Sequence, residues 1–173
     1  IVIGCKPHHG LGTLYVLCPD GTPANDGWPR QIDDHGIFVP SIADIDQDGE
    51  GEIVVGSGVG VLTAGHVHAF EADGSPVAGS WPAEIYDAAD PHSAPGGDPY
   101  FVSIADLDPA YPGLEIVTAP MYRDEVYAFH ADGTSVPGWP AGGRVGTPIG
   151  NSPVIGDVDG QPGLEVLLAA PDV

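Results

Sequence analysis

The sequence predicts an all-β protein built of β-propeller blades, that is, four-stranded antiparallel units repeated about three times in the 173 residues. Three observations predict this class. Short motifs return in the same order along the chain, β-branched and aromatic runs alternate with turn residues, and the runs lie too close together to leave room for helices. Four-stranded units repeated around an axis form a propeller, in which neighbouring blades protect one another's strand edges.

The first repeated element is a short apolar strand that ends in aspartates. Ser-Ile-Ala-Asp-Ile-Asp at residues 41–46 returns as Ser-Ile-Ala-Asp-Leu-Asp at 103–108 and, more loosely, at 153–159. A second β-rich run follows each copy and begins with glutamate. Its copies are residues 52–55, 115–118 and 165–168, and residues 1–3 match it at the start of the chain. We therefore predict strands one and two of each unit, with an acidic turn between them.

Two further elements complete the unit. The third is an apolar and aromatic run that forms a hairpin with the second, at residues 14–17, 67–70 and 126–129. The fourth leads from Asp-Gly to Trp-Pro, at residues 20–29, 73–82 and 132–140. We expect the stretch through Trp-Pro to form an outer fourth strand. The three tryptophans are predicted to pack in the core and between blades rather than to hold a ligand: Trp28, Trp81 and Trp139.

These elements divide the chain into four stretches of one propeller domain. They are a partial blade with strands two to four at 1–36, a blade with the strongest acidic turn and a long insertion (87–99) at 37–99, a blade at 100–150, and a partial blade with strands one and two at 151–173. A closed propeller needs about four to eight blades. We therefore expect an excerpt of a longer repeat protein with flanking blades, or copies that join head to tail into a ring or filament.

The net negative charge of the chain indicates which classes of partner it can bind. Four Lys and Arg residues stand against 25 Asp and Glu residues, a formal net charge of -21, so nucleic acid and anionic membrane surfaces are repelled. No apolar run is long enough to enter a membrane. Because the acids are clustered in the sequence, cations are the first partner to expect.

The two cysteines are predicted to be free thiols. Cys5 and Cys18 flank one hairpin, where antiparallel pairing places Cys5 near the turn and Cys18 at the open end. Disulfide geometry requires Cα atoms within about 7 Å, and the two ends of a hairpin are farther apart than that. The sequence therefore predicts no disulfide in this unit.

The strongest chemical motif is the turn Asp-Ile-Asp-Gln-Asp-Gly-Glu-Gly-Glu at residues 44–52. Acids at its first, third and fifth positions can aim oxygens at one point, Gly49 permits the bend, and a later acid closes the shell. An oxygen-only cage favours Ca²⁺ over Mg²⁺, which needs a rigid octahedron. The alternative is that the carboxylates only cap the turn. The predicted calcium ligands are Asp44, Asp46, Asp48, Glu52 and the backbone carbonyl of Glu50.

The two other copies of the turn carry fewer acids and predict weaker binding. The second keeps Asp106 and Asp108 but has Ala110 at the fifth position, and its Glu115 lies one residue later than the pattern of the first turn predicts. The third copy offers the amide oxygen of a glutamine at that position, and its candidate ligands are Asp157, Asp159, Gln161 and Glu165. Fewer ligand charges lower the affinity of a calcium loop.

Residues 43–56, followed by Val-His-Ala-Phe-Glu-Ala-Asp-Gly and Trp-Pro, resemble the FG-GAP/VCBS repeats of integrin-alpha-like propellers. The resemblance covers nearly the whole chain and is most specific at residues 39–82. It implies that the Asp-rich loop between the first two strands of a blade binds calcium. It also implies an extracellular or cell-surface location and a role in adhesion or in binding a protein or glycan ligand.

No feature of the sequence stands out as an enzyme active site. The run Gly-Ser-Gly-Val-Gly at residues 56–60 lies between two strands, so we expect a hairpin turn there and not a dinucleotide-binding loop. The leading hypothesis is a non-catalytic, calcium-stabilised extracellular propeller for ligand binding, adhesion or surface structure. The alternative is the propeller domain of a secreted polysaccharide-active enzyme.

Overall fold

The computed structural model describes residues 1–5, 10–32, 36–58, 64–85, 97–121, 123–140 and 151–169. These residues form 13 strands and no helix, so the predicted all-β class is confirmed. All strand pairs are antiparallel, and the strands make four sheets, none of which closes on itself. Within this part of the chain no helix is long and apolar enough to cross a membrane.

The four sheets follow one another along the chain. The first consists of β1 (Val2–Cys5), β2 (Gly12–Val16) and β3 (Arg30–Ile32). The second consists of β4 (Gly36–Ile37), β5 (Ser41–Ala43), β6 (Glu52–Gly58), β7 (Gly65–Phe70) and β8 (Ala83–Ile85). The third consists of β9 (Val102–Ala105), β10 (Glu115–Thr118) and β11 (Tyr127–Phe129), and the fourth of β12 (Val154–Gly156) and β13 (Glu165–Leu167).

The second sheet is the most complete unit. Strand β6 is buried along its whole length and pairs with β7 on one side and with both β4 and β5 on the other. The position of the first strand is thus filled by two short strands. The acidic turn at residues 44–52 connects β5 to β6, and β8 pairs with β7 at the outer edge. Residues 87–96 of the predicted insertion lie outside the described residues, and so do residues 141–150.

The fourth strand begins after the Trp-Pro pair, so the expectation that it runs through Trp-Pro is wrong. Strand β3 starts at Arg30, directly after Pro29, and β8 starts at Ala83, directly after Pro82. Proline has no N–H to donate to a strand ladder, which places it before the strand and not within it. Each of the three Trp-Pro peptide bonds is cis.

The tryptophans join one unit to the next, as predicted. The indole N–H of Trp28 donates to the carbonyl oxygen of Ala72 at 3.0 Å, and Trp81 makes the equivalent bond to Ala131 at 3.0 Å. Trp28 is buried and meets the ring of Phe70 edge-on, with centroids 6.0 Å apart. Each bond spans from one sheet to the turn that follows the third strand of the next unit.

Neighbouring sheets also share their cores and meet at their first strands. One buried cluster joins the first and second sheets, another the second and third, and a third cluster joins the third and fourth. Ser41 in β5 donates a hydrogen bond to the carbonyl oxygen of Val102 in β9, at 2.9 Å. Ser103 in β9 donates to the carbonyl oxygen of Pro153, next to β12. The first strands of successive units therefore lie side by side.

The hairpins show one feature that agrees with the prediction, the placement of the cysteines, and one that does not, the position of the glycines at 56 and 58. The register pairs Cys5 with Thr13 near the turn, and Cys18 lies beyond the open end with a free thiol, as predicted. The glycines at 56 and 58 lie inside β6, so the expectation of a turn there is wrong for these residues. A Cβ atom on Gly56 would lie 1.8 Å from the carbonyl oxygen of Pro99, which explains the glycine by a close approach of two backbones.

Candidate metal centre

The turn at residues 44–52 gathers three carboxylates at the end of β5. Asp44, Asp46 and Asp48 each offer an oxygen, and the three oxygens lie within 4.8 Å of one another. Ile45, between the first two acids, is fully buried in the core shared by the second and third sheets. Ile45 therefore anchors the segment between the first two acids to the core.

Each aspartate uses one oxygen to brace the turn. Asp44 Oδ2 accepts from the N–H of Gly49 at 3.1 Å, Asp46 Oδ1 from the N–H of Asp48 at 3.2 Å, and Asp48 Oδ1 from the N–H of Glu50 at 2.8 Å. Gly49 adopts a φ of 98°, which favours glycine. The capping role that we considered as an alternative is therefore present, and it occupies one oxygen of each carboxylate.

Two buried carboxylate oxygens at this turn have no hydrogen-bond partner. Glu52, the first residue of β6, is fully buried and accepts from the N–H of Ile45 through Oε2 at 2.7 Å. Its Oε1 and Asp44 Oδ1 are the buried side-chain oxygens left without a partner among the described residues. Such orphans are rare and costly in folded proteins. Hard oxygen atoms that need a positive partner fit a Ca²⁺ ion.

The negative charges of the turn act on one another. Burial raises the pKa of Glu52 above its usual range, and the charges of Asp46, Glu71 and Asp48 raise it further, against the lowering effect of the Ile45 hydrogen bond. Burial likewise raises the pKa of Glu71, followed by the charges of Asp46 and Asp48. Carboxylates held this close together ionise at a cost that a bound dication removes.

Sequence reasoning missed Glu71, which lies beside the turn although it follows the third strand. Phe70 pairs with Ile53 across β6 and β7, so one step further along the ladder places Glu71 opposite Glu52. The signal is readable only from the strand register, because Glu71 belongs to no acidic cluster in the sequence.

In the second turn both carboxylate oxygens of the buried glutamate have hydrogen-bond partners. Glu115 is fully buried, and its Oε2 accepts from the N–H groups of Leu107 at 2.7 Å and Asp108 at 2.9 Å. Its Oε1 lies 3.1 Å from Nδ1 of His130, another residue that sequence reasoning missed. The structure does not bring Asp106, Asp108 and Glu115 together as a group of converging oxygens.

The third turn brings its acids together in a more exposed setting. Oxygens of Asp157, Asp159 and Glu165 lie within 4.8 Å of one another. Glu165 Oε2 accepts from the N–H of Val158 at 2.9 Å, which repeats the bond between Glu52 and Ile45. Gln161 is exposed, and its backbone N–H donates to Asp159 Oδ1 at 2.8 Å. This turn shares the geometry of the first but lacks its fully buried glutamate.

The far end of β6 carries a pair of a different kind. Ser57 Oγ lies 2.8 Å from Nε2 of His68, a nucleophile-and-base pairing that sequence reasoning also missed. Ser57 is fully buried, so its hydroxyl group is not presented to solvent.

No protein-family model matches the chain, and the searches of curated proteins and of solved structures give no match. The acidic turns therefore stand as the candidate site on their geometry alone.

Proposed function

We propose that the chain is a calcium-stabilised, non-catalytic domain for binding or surface structure, in which the turn at residues 44–52 holds the principal ion. The observation that carries this proposal is the pair of buried, unpartnered oxygens, Asp44 Oδ1 and Glu52 Oε1. Asp44 belongs to the group of converging oxygens with Asp46 and Asp48, Glu52 lies outside that group, and the charges of Asp46 and Asp48 act on Glu52; a dication here therefore gains oxygen ligands and relieves the repulsion between them. The more exposed turn with Asp157 is the second candidate for an ion.

We further propose that the units are blades of a β-propeller of the FG-GAP/VCBS type. Three findings support this arrangement. Successive sheets share cores, their first strands lie side by side, and Trp28 and Trp81 each donate a hydrogen bond to the following unit. On the outermost described sheets Ile3 is 44% exposed, Val154 61% and Leu167 41%. Apolar surface at these positions supports packing against further units, supplied by flanking blades or by another copy.

The working environment proposed for this domain is extracellular. Calcium sites in extracellular modules bind at about 10⁻⁴–10⁻³ M, a range that suits a turn whose Asp46 and Asp48 are exposed. The net charge of -21 becomes less repulsive when such ions bind. A protein or glycan ligand, as in adhesion, is the partner class that we assign to the domain. No catalytic role is assigned, because the acids lie in turns that recur once per unit.

Isothermal titration calorimetry with CaCl₂, and separately with MgCl₂, tests the proposal. We expect saturable calcium binding in the millimolar range or tighter, and weaker binding of magnesium. Asp46→Ala should remove the principal site, because it deletes one of the three converging carboxylates. Asp20→Ala is a matched control, since Asp20 is an exposed acid in the first unit whose carboxylate accepts from Thr22 and which belongs to none of the three turns. Calcium binding that is absent, or that Asp46→Ala leaves unchanged, overturns the proposal.

A further inference from the structure

The first and second acidic turns occupy equivalent places in the strand ladder. Ile53 pairs with Ile42 on one side and Phe70 on the other, and Ile116 pairs with Ile104 and Phe129 in the same way. The glutamates that precede these isoleucines are therefore equivalent, and both are fully buried. The residues that follow the two phenylalanines are equivalent as well, and they are Glu71 and His130.

In the second turn this position supplies a proton donor. His130 is buried, and its Nδ1 lies 3.1 Å from Glu115 Oε1. A carboxylate oxygen only accepts, so the proton of this bond belongs to Nδ1. The ring of Tyr111 stacks on the imidazole with centroids 3.7 Å apart, and the Tyr111 hydroxyl donates to Asp132 Oδ2 at 2.7 Å. The imidazole is thereby held against the glutamate.

In the first turn the same position supplies a further acceptor. Glu71 brings a negative charge towards Asp46 and Asp48, and Glu52 Oε1, the counterpart of Glu115 Oε1, has no hydrogen-bond partner. The two turns thus differ at the one oxygen on which a cation and an N–H donor compete. They differ in the same sense at the fifth position, where Asp48 corresponds to Ala110.

We infer that the residue after the third strand decides whether the acidic turn of a unit binds a cation. Glu71 raises the affinity of the first turn for calcium, and His130 takes the place of the ion in the second, so Asp106, Asp108 and Glu115 hold no calcium. This inference rests on the proposed calcium site at residues 44–52. Glu71 and His130 thus decide which acidic turn binds calcium, although neither residue belongs to the acidic motifs.

Two variants test the inference by calorimetric titration with CaCl₂ on the full chain. Glu71→Gln keeps the size of the side chain and removes its charge, and we expect about tenfold weaker binding at the first turn. The double change Ala110→Asp with His130→Glu gives the second turn acids at the positions of Asp48 and Glu71, and we expect one additional calcium ion per chain. Ala110→Asp alone is the matched control, which should add no ion because the imidazole remains.

The outcomes separate this inference from the proposed function. A wild-type chain that binds no calcium overturns both. A wild-type chain that binds calcium, with Glu71→Gln unchanged in affinity, overturns the inference alone. NMR of the wild-type chain gives a readout that needs no variant. Calcium should shift the amide resonance of Gly49 and leave the side-chain resonances of His130 in place, whereas a large shift at His130 contradicts its role as the stand-in for the ion.

Discussion

Replacing Glu52 with glutamine should stabilise the calcium-free chain and abolish most of its stabilisation by calcium. The amide oxygen of glutamine can keep the hydrogen bond from the N–H of Ile45, which now goes to Oε2 at 2.7 Å. The substitution removes a negative charge from a buried place where Asp46 and Asp48 repel it. It also replaces a buried acceptor atom that has no partner by an NH₂ group, which can donate, at a place where the negative charges of Asp46, Glu71 and Asp48 act. An isosteric change therefore gives effects of opposite sign in the two conditions.

The expected size follows from the cost of that orphan atom. A buried polar atom without a partner costs about 1–3 kcal/mol. In a chain of this size 1 kcal/mol shifts the melting temperature by about 2–4 °C, so the variant should melt roughly 2–12 °C higher in EDTA. Calcium at one hundred times its dissociation constant stabilises the wild type by about 2.7 kcal/mol, and the variant should lose most of that gain.

Thermal melts followed by circular dichroism, in EDTA and in excess calcium, measure both effects. Glu115→Gln is the matched control, because both oxygens of Glu115 already have partners in Leu107, Asp108 and His130. It should destabilise the chain in either condition. If Glu52→Gln destabilises the calcium-free chain as Glu115→Gln does, then the unpartnered oxygen is not a cost and the reasoning fails.

Three further predictions follow from the same structure. Without calcium, the raised pKa values of Glu52 and Glu71 mean that these groups bind protons more tightly in the folded chain than in the unfolded chain. The free energy of unfolding, measured with urea in EDTA, should therefore fall as pH rises from 4.5 towards neutrality, and calcium should abolish this fall. A free energy of unfolding that rises with pH in EDTA contradicts the prediction. Trp81→Phe, which loses the hydrogen bond to the next unit, should cost about 0.5–1.5 kcal/mol in urea unfolding, and an unchanged midpoint contradicts that role. Gly56→Ala places a Cβ against the backbone at Pro99 and should cost about 1–3 kcal/mol, whereas a neutral effect shows that the two segments separate easily.

The parts of the fold that depend on local sequence were predictable. Strand propensity and turn residues recur with each unit, so the all-β class and the order of the strands follow from the repeat. The convergence of Asp44, Asp46 and Asp48 follows from their spacing within one turn, since no other part of the chain is needed to bring them together. The tryptophan contacts follow from the burial of large aromatic rings between units.

What could not be predicted depends on register across the sheet. Glu71 and His130 reach their turns only because the third strand pairs with the second in a particular alignment. The length of the connection between these strands hides that alignment in the sequence, because a hairpin's register depends on its loop. The start of the fourth strand was misplaced for a related reason. A proline can end a turn or begin a strand, and only its missing N–H decides between them.

The most direct measurement is a crystal structure of the chain grown in calcium, with anomalous scattering used to locate the ion. We predict an anomalous peak in the turn at residues 44–52, with Asp44 Oδ1 and Glu52 Oε1 about 2.3–2.6 Å from it, and no peak at Glu115. A turn in which both oxygens contact only water, while the protein is saturated with calcium elsewhere, would contradict the calcium site proposed for this domain.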